Sequence, residues 1–348
     1  MSNLALVYEA QRKHVIRELP IPEPLPGFLQ VRVEAAAVNP ADPKIFDQDR
    51  LGFIKNWPTV LGWDAAGEVT KVAEGETRFK VGDRISFGCL PSASVDGGVT
   101  YGARSGFQQY ALADVKYAIK IPDEIDFAAA STWFGGGINA ASALYKHLQI
   151  KEPWLGGKDA YTGQKIVILG GSSSIGSYAI QLAVLAGFEV ITTASAVHLD
   201  YVKSLGARTA IDRSLPPADV AAQILAATGG PVHYAVDPIS SASTQALAVE
   251  VLAENAGLLN VMLPLDLSVK PALDTKKIQL RWGFGVEGMY TNPELHTAAE
   301  GYFGEGVLKF NRTTLLGGLE AWETAFKMYR NGAVSGTKLV LLPQQTQK

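Results

Sequence analysis

The sequence predicts an α/β protein in which a doubly wound parallel sheet is joined to a second, mainly β domain. Three observations carry this. From about residue 165 onward, short apolar runs alternate with helical stretches, the pattern of a parallel sheet wrapped by helices. Before about residue 128 the apolar runs are short, alternate with polar residues and are fenced by Gly and Pro, as in a small β-barrel. A length of 348 residues, 47% hydrophobic and 19% charged, suits two globular domains better than one.

Taken in order, "LQVRVEAAAV" at 29 to 38 sets Val31 and Val33 against Arg32 and Glu34, the period of a half-buried strand. "GEVTKVAEG", "RISFG", "FQQYALAD" and "YAIKIP" repeat the pattern. The stretch 88 to 106, rich in Gly and Ser and without apolar period, reads as a mobile loop rimming a site. "AAASTWFGGGINAASALYKHL" reads as helical apart from its glycine triplet, and "KEPWLGGKDAYTGQ" as an exposed connector. Six strands then alternate with helices: "KIVILG", "EVITTAS", "TAI", "VHYAVDP", "GLLNVML" and "IQLRWGF". The tail has a helix at "GGLEAWETAFKMYRNG", stopped by Asn331 and Gly332, and a strand "KLVLLP" whose simplest partner is in the first domain. The expected domains are 1–129, 130–288 and a return segment 289–348.

A net charge of −3 with dispersed Lys and Arg offers no basic stripe for nucleic acid or an anionic membrane, so the expected partner is a small molecule. Cys89 is the single cysteine, which excludes an internal disulfide and a multi-cysteine metal cage. The N-terminal "MSNLALVYEAQRKH" lacks the apolar core of a leader, and no run approaches ~18 apolar residues. The expected location is the cytoplasm.

"ILGGSSSIG" at 168 to 176 stands where a buried strand ends and an amphipathic helix begins. Unpaired amides and the positive dipole end at such a helix start bind a pyrophosphate. Gly170 and Gly171 permit the turn, Ser172, Ser173 and Ser174 add hydroxyls, Ile175 opens the helix, and Gly176 allows close packing on the strand. A strict G-x-G-x-x-G is absent. An NAD site places an acid at the end of the second strand, whereas "TTASAVH" has Ser195 and His198, followed by Lys203, Arg208 and Arg213. Donors in place of the acid suit a 2′-phosphate, so NADP(H) is the expected cofactor.

The segments "AAAVNPADPKI", "LGWDAAGEV", "VGDRI", "FQQYALAD", "AIKIPDEI", the strand, "GGSSSIG" and helix unit, and the closing "GGLEAWETAFKMYRNGAVSGTKLVLL" resemble the medium-chain dehydrogenase/reductase superfamily. The chain is similar to its zinc-free quinone oxidoreductase branch, and most similar to fungal trans-acting enoyl reductases that assist polyketide synthases. The resemblance implies a GroES-like catalytic domain beside a Rossmann-type one. Where zinc members carry their first catalytic cysteine this chain has Asn39, and where they read Gly-His-Glu it has Gly62-Trp63-Asp64. The implied reaction is therefore metal-independent hydride transfer from NADPH to the β carbon of an enone, enal or enoyl thioester, with protonation at the α carbon. Quinone reduction, or a non-catalytic NADPH-binding role, are the alternatives. A polyketide synthase or carrier protein is implied as a partner by the subgroup alone, and the oligomeric state stays open.

Lys44, after a Pro-Ala-Asp-Pro turn that would hold it at a strand end, is the first candidate donor, because the resembling enoyl reductases carry a lysine there near cofactor and substrate. Asn39 is either a hydrogen-bonding partner of the nicotinamide end or a turn starter before Pro. Tyr110 is a candidate acid or a packing residue. The triplet starting at Gly135 implies close approach of backbone to a ligand, or a flexible joint. Trp63, Trp133, Phe134, Phe284 and Met289 suit a substrate wall or a core. Leu263 and Pro264, with Ser335 and Gly336, approach the cofactor in the resembling family. Asp64, with no metal to support, is expected to orient a neighbour by hydrogen bonding.

Overall fold

The computed structural model describes residues 2–49, 52, 54, 57–89, 102–283 and 292–347. The chain divides into two compact units, Met1–Gly135 with His296–Lys348, and Gly136–Leu295. The first cut falls at 135 rather than 129, because the helical stretch after Phe127 begins on the β unit.

In the first unit, β1 (Asn3–Ala10) lies between β2 (Lys13–Leu19) and β4 (Thr59–Val60) in a small sheet. The larger sheet has seven strands: β3 (Phe28–Val38), β5 (Asp64–Val72), β6 (Arg84–Gly88), β7 (Tyr110–Asp114), β8 (Ala118–Lys120), β15 (Thr313–Gly317) and β16 (Lys338–Leu341). β3 is its hub, paired antiparallel with β5, β7 and β16. The alternation read in "LQVRVEAAAV" holds through Val31 and Val33. It then gives way to Ala35, Ala36, Ala37 and Val38, all buried, because at that end both faces of β3 are covered. The core joins the two sheets through Leu6, Tyr8, Phe87, Phe107, Phe326 and Leu339.

Among the described residues the strands of the expected barrel form two sheets, linked by an antiparallel bridge between Ala5 and Gln108, and no closed barrel is traced. The strand β15 was not anticipated. It pairs parallel with β16, a contact that no short-range pattern announces. The closing strand β16 does return to the first unit, with Leu339 opposite Val38. Of the stretch read as a mobile loop, 90–101 lies outside the described residues, whereas 102–106 is buried against the β core. "LGWDAAGEV" is a place of close approach. A Cβ on Gly62, at φ 101°, would lie 2.8 Å from Phe107, and one on Gly67 only 2.0 Å from the Arg32 carbonyl oxygen, at an irregularity in the β3–β5 ladder.

The second unit is a six-stranded parallel sheet: β9 (Lys165–Ile168), β10 (Glu189–Ala194), β11 (Thr209–Asp212), β12 (Tyr234–Asp237), β13 (Leu258–Val261) and β14 (Gln279–Trp282). The spatial order β11-β10-β9-β12-β13-β14 reverses direction between β9 and β12, the doubly wound arrangement whose ligand crevice lies beyond the carboxyl ends at the reversal. Ile166, Val167 and Ile168 are buried on both faces, which is why "KIVI" shows no alternation.

The glycine triplet does not break the helix, and the division between the two units falls within it, after Gly135. Phe134–Ile138 is a π-helical turn that runs directly into Asn139–Ala141 and a second π-helical stretch, Ser142–His147. A Cβ on Gly136 would stand 2.7 Å from the Ser174 hydroxyl and 2.8 Å from the Tyr178 ring, so that glycine is demanded by protein packing.

Gly67→Ala is expected to lower the free energy of urea unfolding by at least ~2 kcal/mol, since the added methyl meets backbone that has no free rotation. Gly301→Ala, in the helix Pro293–Gly304 with nothing within 4 Å of the new methyl, is expected to stabilise by up to ~1 kcal/mol. Equal effects of the two changes would refute the close-approach reading of Gly67.

Candidate active site

In the second unit the predicted phosphate turn is built as a helix start. Gly170 adopts φ 65°. A Cβ on Gly171 would lie 2.2 Å from the Thr192 hydroxyl, and one on Gly176 would lie 2.3 Å from the Gly170 carbonyl oxygen, so neither tolerates a side chain. Ser173 caps the helix Ser174–Leu185, its Oγ accepting from the Gly176 amide at 3.1 Å. Ser172, Ser174 and Ile175 complete the turn and are partly exposed. A dinucleotide pyrophosphate fits this cradle of small residues at a positive helix end.

The neighbouring strand ends carry the cationic corner. Arg213 Nε donates to Ser195 Oγ at 2.9 Å, and the Arg213 amide donates to the Ala194 carbonyl at 2.9 Å. His198 closes the short turn Ala196–His198, and Lys203 is exposed on the helix Leu199–Ser204. Asp212, which the sequence did not single out, accepts from the Ser214 amide at 2.9 Å. Hydrogen bonds from Ser214 hold its carboxyl below the usual range. Its charge is thereby turned to the local backbone.

The loops beyond β12 and β13 are held from within. Asp237 Oδ1 accepts from the Ile239 and Ser240 amides at 3.1 and 2.9 Å, while burial pushes its carboxyl up to about 6. Ser240 Oγ accepts from the Met262 amide at 2.8 Å, and Gln245 Nε2 donates to the Pro264 carbonyl at 3.1 Å. Leu263 and Pro264 therefore sit on a pinned loop at the carboxyl end of the sheet.

In the first unit, antiparallel pairing brings the carboxyl end of β3 beside the amino ends of β5 and β16, and four polar side chains converge there. Asn39 Nδ2 donates to Asp64 Oδ2 at 2.8 Å, and Lys338 Nζ donates to Asn39 Oδ1 at 2.5 Å and lies 3.8 Å from Asp64 Oδ2. The Gly135 amide donates to Asp64 Oδ1 at 2.5 Å, and the Asn39 amide donates to Asp42 Oδ2 at 2.6 Å. A Cβ on Gly135 would fall 2.3 Å from Asp64 Oδ2, so protein atoms, not a ligand, demand that glycine. Burial drives Asp64 up and Lys338 down, each toward its neutral form, and their mutual attraction opposes both shifts. Burial pushes Asp42 up to about 7. Its Oδ1 is buried with no hydrogen-bond partner among the described residues.

The other predicted residues are spread more widely. Lys44 is exposed on the helix Ala41–Asp47, not at a strand end, because "PADPKIF" winds into a helix directly after Asn39. Tyr110 lies opposite Arg32, roughly 20 Å back along β3 from Asn39, and is not part of this cluster. Trp133 packs edge-on against Phe303 and Phe134 stacks on His296, both wholly buried, so they are core rather than pocket wall. Trp63 packs half-buried on the β core. Ser335 is exposed and Gly336 has φ 64°, in the turn that leads into Lys338. Phe284 and Met289 lie outside the described residues. Lys338 was missed: the "GTKLVLL" run reads as an ordinary strand, and the nearest hint was a charge at the head of an otherwise apolar segment.

Comparison with known proteins agrees with this division. Residues 26–123 match the alcohol dehydrogenase GroES-like domain, and 174–283 match the domain described as zinc-binding dehydrogenase. A trans-enoyl reductase from Aspergillus japonicus is 36% identical over 321 residues, covering 89% of this chain and 88% of that protein. The chain belongs to the medium-chain dehydrogenase/reductase superfamily. A trans-enoyl reductase from a Penicillium species is 29% identical across 92% of both chains. An alcohol dehydrogenase superfamily protein from Novosphingobium aromaticivorans shares the fold, with a TM-score of 0.80, 24% identity and 98% and 99% of the two chains covered. As a superfamily member the chain is an oxidoreductase that uses a nicotinamide cofactor.

The residues present do not fit the zinc ion that the second domain's description implies. Asn39 offers a carboxamide and Trp63 an indole, neither of them a zinc ligand of the thiolate or imidazole kind, and Asp64 is engaged by an ammonium and two hydrogen-bond donors. Among the described residues no cluster of three or more His, Cys, Asp or Glu is placed to hold a metal, and no helix is long and apolar enough to cross a membrane.

The raised Asp42 sets a pH dependence. In the unfolded chain its carboxyl titrates near 3.8, in the folded chain at about 7. The stability it contributes is fully present below about 4 and is lost as pH rises through about 7, with a slope of up to ~1.4 kcal/mol per unit. Asp42→Asn keeps an acceptor for the Asn39 amide but cannot ionise. Urea unfolding of the two proteins at about pH 5 and about pH 8 is expected to favour the variant increasingly at the higher pH. A pH-independent difference would contradict this assignment.

Proposed function

We propose that the chain is a metal-independent, NADPH-dependent reductase of activated carbon–carbon double bonds. The natural substrate in this reading is an enoyl thioester presented by a polyketide synthase or carrier protein in the cytoplasm. The observation that carries it is the Lys338 ammonium lodged between Asn39 and Asp64, two of the residues at which the chain departs from the zinc members it resembles. With a fixed ammonium there and no thiolate or imidazole, the site is poorly suited to Lewis-acid activation of an alcohol or carbonyl. A double bond already polarised by a conjugated carbonyl needs no such activation. The similarity to trans-enoyl reductases over nearly the whole chain supports the same substrate class.

NADPH bound to the second unit would supply the hydride. The turn Gly170–Gly176 would hold its pyrophosphate, and Ser195 with Arg213 its 2′-phosphate, the guanidinium giving a charge-assisted contact that an NADH ribose lacks. Leu263 and Pro264 would line the crevice beyond β13, where pinning by Gln245 keeps the loop from reorganising on each turnover. Lys44, whose ammonium is exposed, would donate to the substrate carbonyl oxygen as negative charge develops there.

Purified protein mixed with NADPH and a panel of enoyl thioesters, enones, enals and quinones is expected to oxidise the cofactor fastest with enoyl thioesters, and to keep its rate after treatment with a chelator. Tight NADPH binding without turnover on any acceptor would favour a non-catalytic role, and a preference for quinones would reassign the substrate. Arg213→Ala should weaken NADPH about tenfold while leaving NADH unchanged, read by cofactor fluorescence titration. Lys44→Ala should lower kcat at least about tenfold with NADPH affinity intact. Unaltered turnover in that variant would remove Lys44 from the donor role.

A further inference from the structure

We propose that Lys338 is a positioning residue of this active site, its buried ammonium orienting the Asn39 carboxamide and the Asp64 carboxylate and, through these two residues, the helix that carries Lys44 and the Gly135 end of the π-helical turn. The proposal rests on the enoyl reductase reading for its catalytic consequence, but its geometric content stands on this chain alone.

An asparagine carboxamide has an acceptor end and a donor end of nearly equal size, so its orientation is set only by its neighbours. Here the neighbours leave no choice. The Lys338 ammonium has only donors, and it lies 2.5 Å from Asn39 Oδ1. Asp64 Oδ2, acceptor only when ionised, lies 2.8 Å from Asn39 Nδ2. Lys338 and Asp64 thus sort the two ends, and the 3.8 Å ion pair between them holds the frame. The ammonium is 2% exposed, so water does not substitute for it.

From this frame two tethers run outward. The Asn39 amide donates to Asp42 Oδ2, and the Asp42 amide donates back to the Asn39 carbonyl at 3.0 Å, which closes the first turn of the helix bearing Lys44. On the other side Asp64 Oδ1 accepts from the Gly135 amide, where a methyl in place of hydrogen would collide with both Asp64 and Asn39. Tyr329 adds a brace, its hydroxyl donating to the Val38 carbonyl at 2.8 Å, one residue before Asn39. The ammonium reaches this position because β16 runs antiparallel to β3 with Leu339 opposite Val38, which sets Lys338 opposite Asn39. A monovalent charge on the chain's own C-terminal strand therefore ties the carboxyl end of β3 to the amino end of β5.

The test separates orientation from charge balance. Lys338→Met leaves the Asp64 carboxylate buried and uncompensated. The double variant Lys338→Met with Asp64→Asn removes both charges, but leaves one acceptor atom at position 64 for two donors, the Gly135 amide and Asn39 Nδ2, so either the Asn39 carboxamide reverses or the Gly135 tether is lost. The double variant is expected to melt near the wild-type temperature yet keep kcat at least about tenfold down, with the KM for NADPH changed by no more than about twofold. Amide hydrogen exchange by mass spectrometry should be faster than wild type in peptides spanning 39–48 and 133–138 in both variants. Lys338→Arg, which restores a cationic donor, should recover part of both readouts. If the double variant regains melting temperature, exchange protection and kcat together, Lys338 is a counter-ion only and the proposal falls. If Lys338→Met fails to fold, wild type against the double variant decides the question. If wild type reduces no acceptor, the enoyl reductase reading fails by itself, and exchange in the two peptides still decides whether Lys338 positions them.

Discussion

The structure of the β unit turns on the cost of burying one ammonium. An isolated lysine charge taken out of water costs several kcal/mol, and Lys338 is buried at the head of a strand in the middle of a sheet. Asp64 and Asn39 make its burial tolerable, and both come from the other end of the chain. The last strand is therefore tied to the first third of the sequence by charge as well as by the β-ladder. Because β3 pairs antiparallel with both β5 and β16, its carboxyl end meets the amino ends of those two strands.

That convergence also explains the residues around it. Gly135 is a glycine because Asp64 and Asn39 occupy the volume its side chain would take. The short segment from Asn39 to Asp42 is closed by reciprocal hydrogen bonds, so the helix after it begins at a defined angle from β3. Within this dry cluster of two carboxylates and one ammonium, burial pushes Asp42 up to about 7, and the attraction of Lys338 opposes that rise only in part.

The parallel-sheet unit solves its problem with backbone. Its candidate cofactor cradle contains no buried ion pair. Gly171 and Gly176 bring main chain against main chain, Ser173 satisfies a first-turn amide, and Asp237, Ser240 and Gln245 fix the loops beyond β12 and β13. Such a site presents fixed dipoles that need little rearrangement when a charged group arrives. The two units thus embody different forms of preorganisation, one electrostatic through side chains and one steric through glycine.

By itself the sequence determined the doubly wound sheet, its six strands, the glycine and serine turn, and a serine in place of an acid at the end of "TTAS", because each is a local matter of apolar period, turn chemistry and residue type over a few positions. It also marked Asn39, Trp63 and Asp64 as departures from a metal-binding pattern. Only the tertiary structure decided what those departures are for. Lys338 is nearly three hundred residues from Asn39, and nothing local to "GTKLVLL" tells a strand-end lysine facing water from one buried between a carboxamide and a carboxylate. The same holds for the glycine triplet, where packing partners far away in sequence turn an apparent helix break into a π-helical turn. It holds too for Trp133 and Phe134, whose burial depends on Phe303 and His296. Short-range pattern specifies which elements form. Which charges meet is set by the register of β16 on β3, and that register depends on the whole unit being folded.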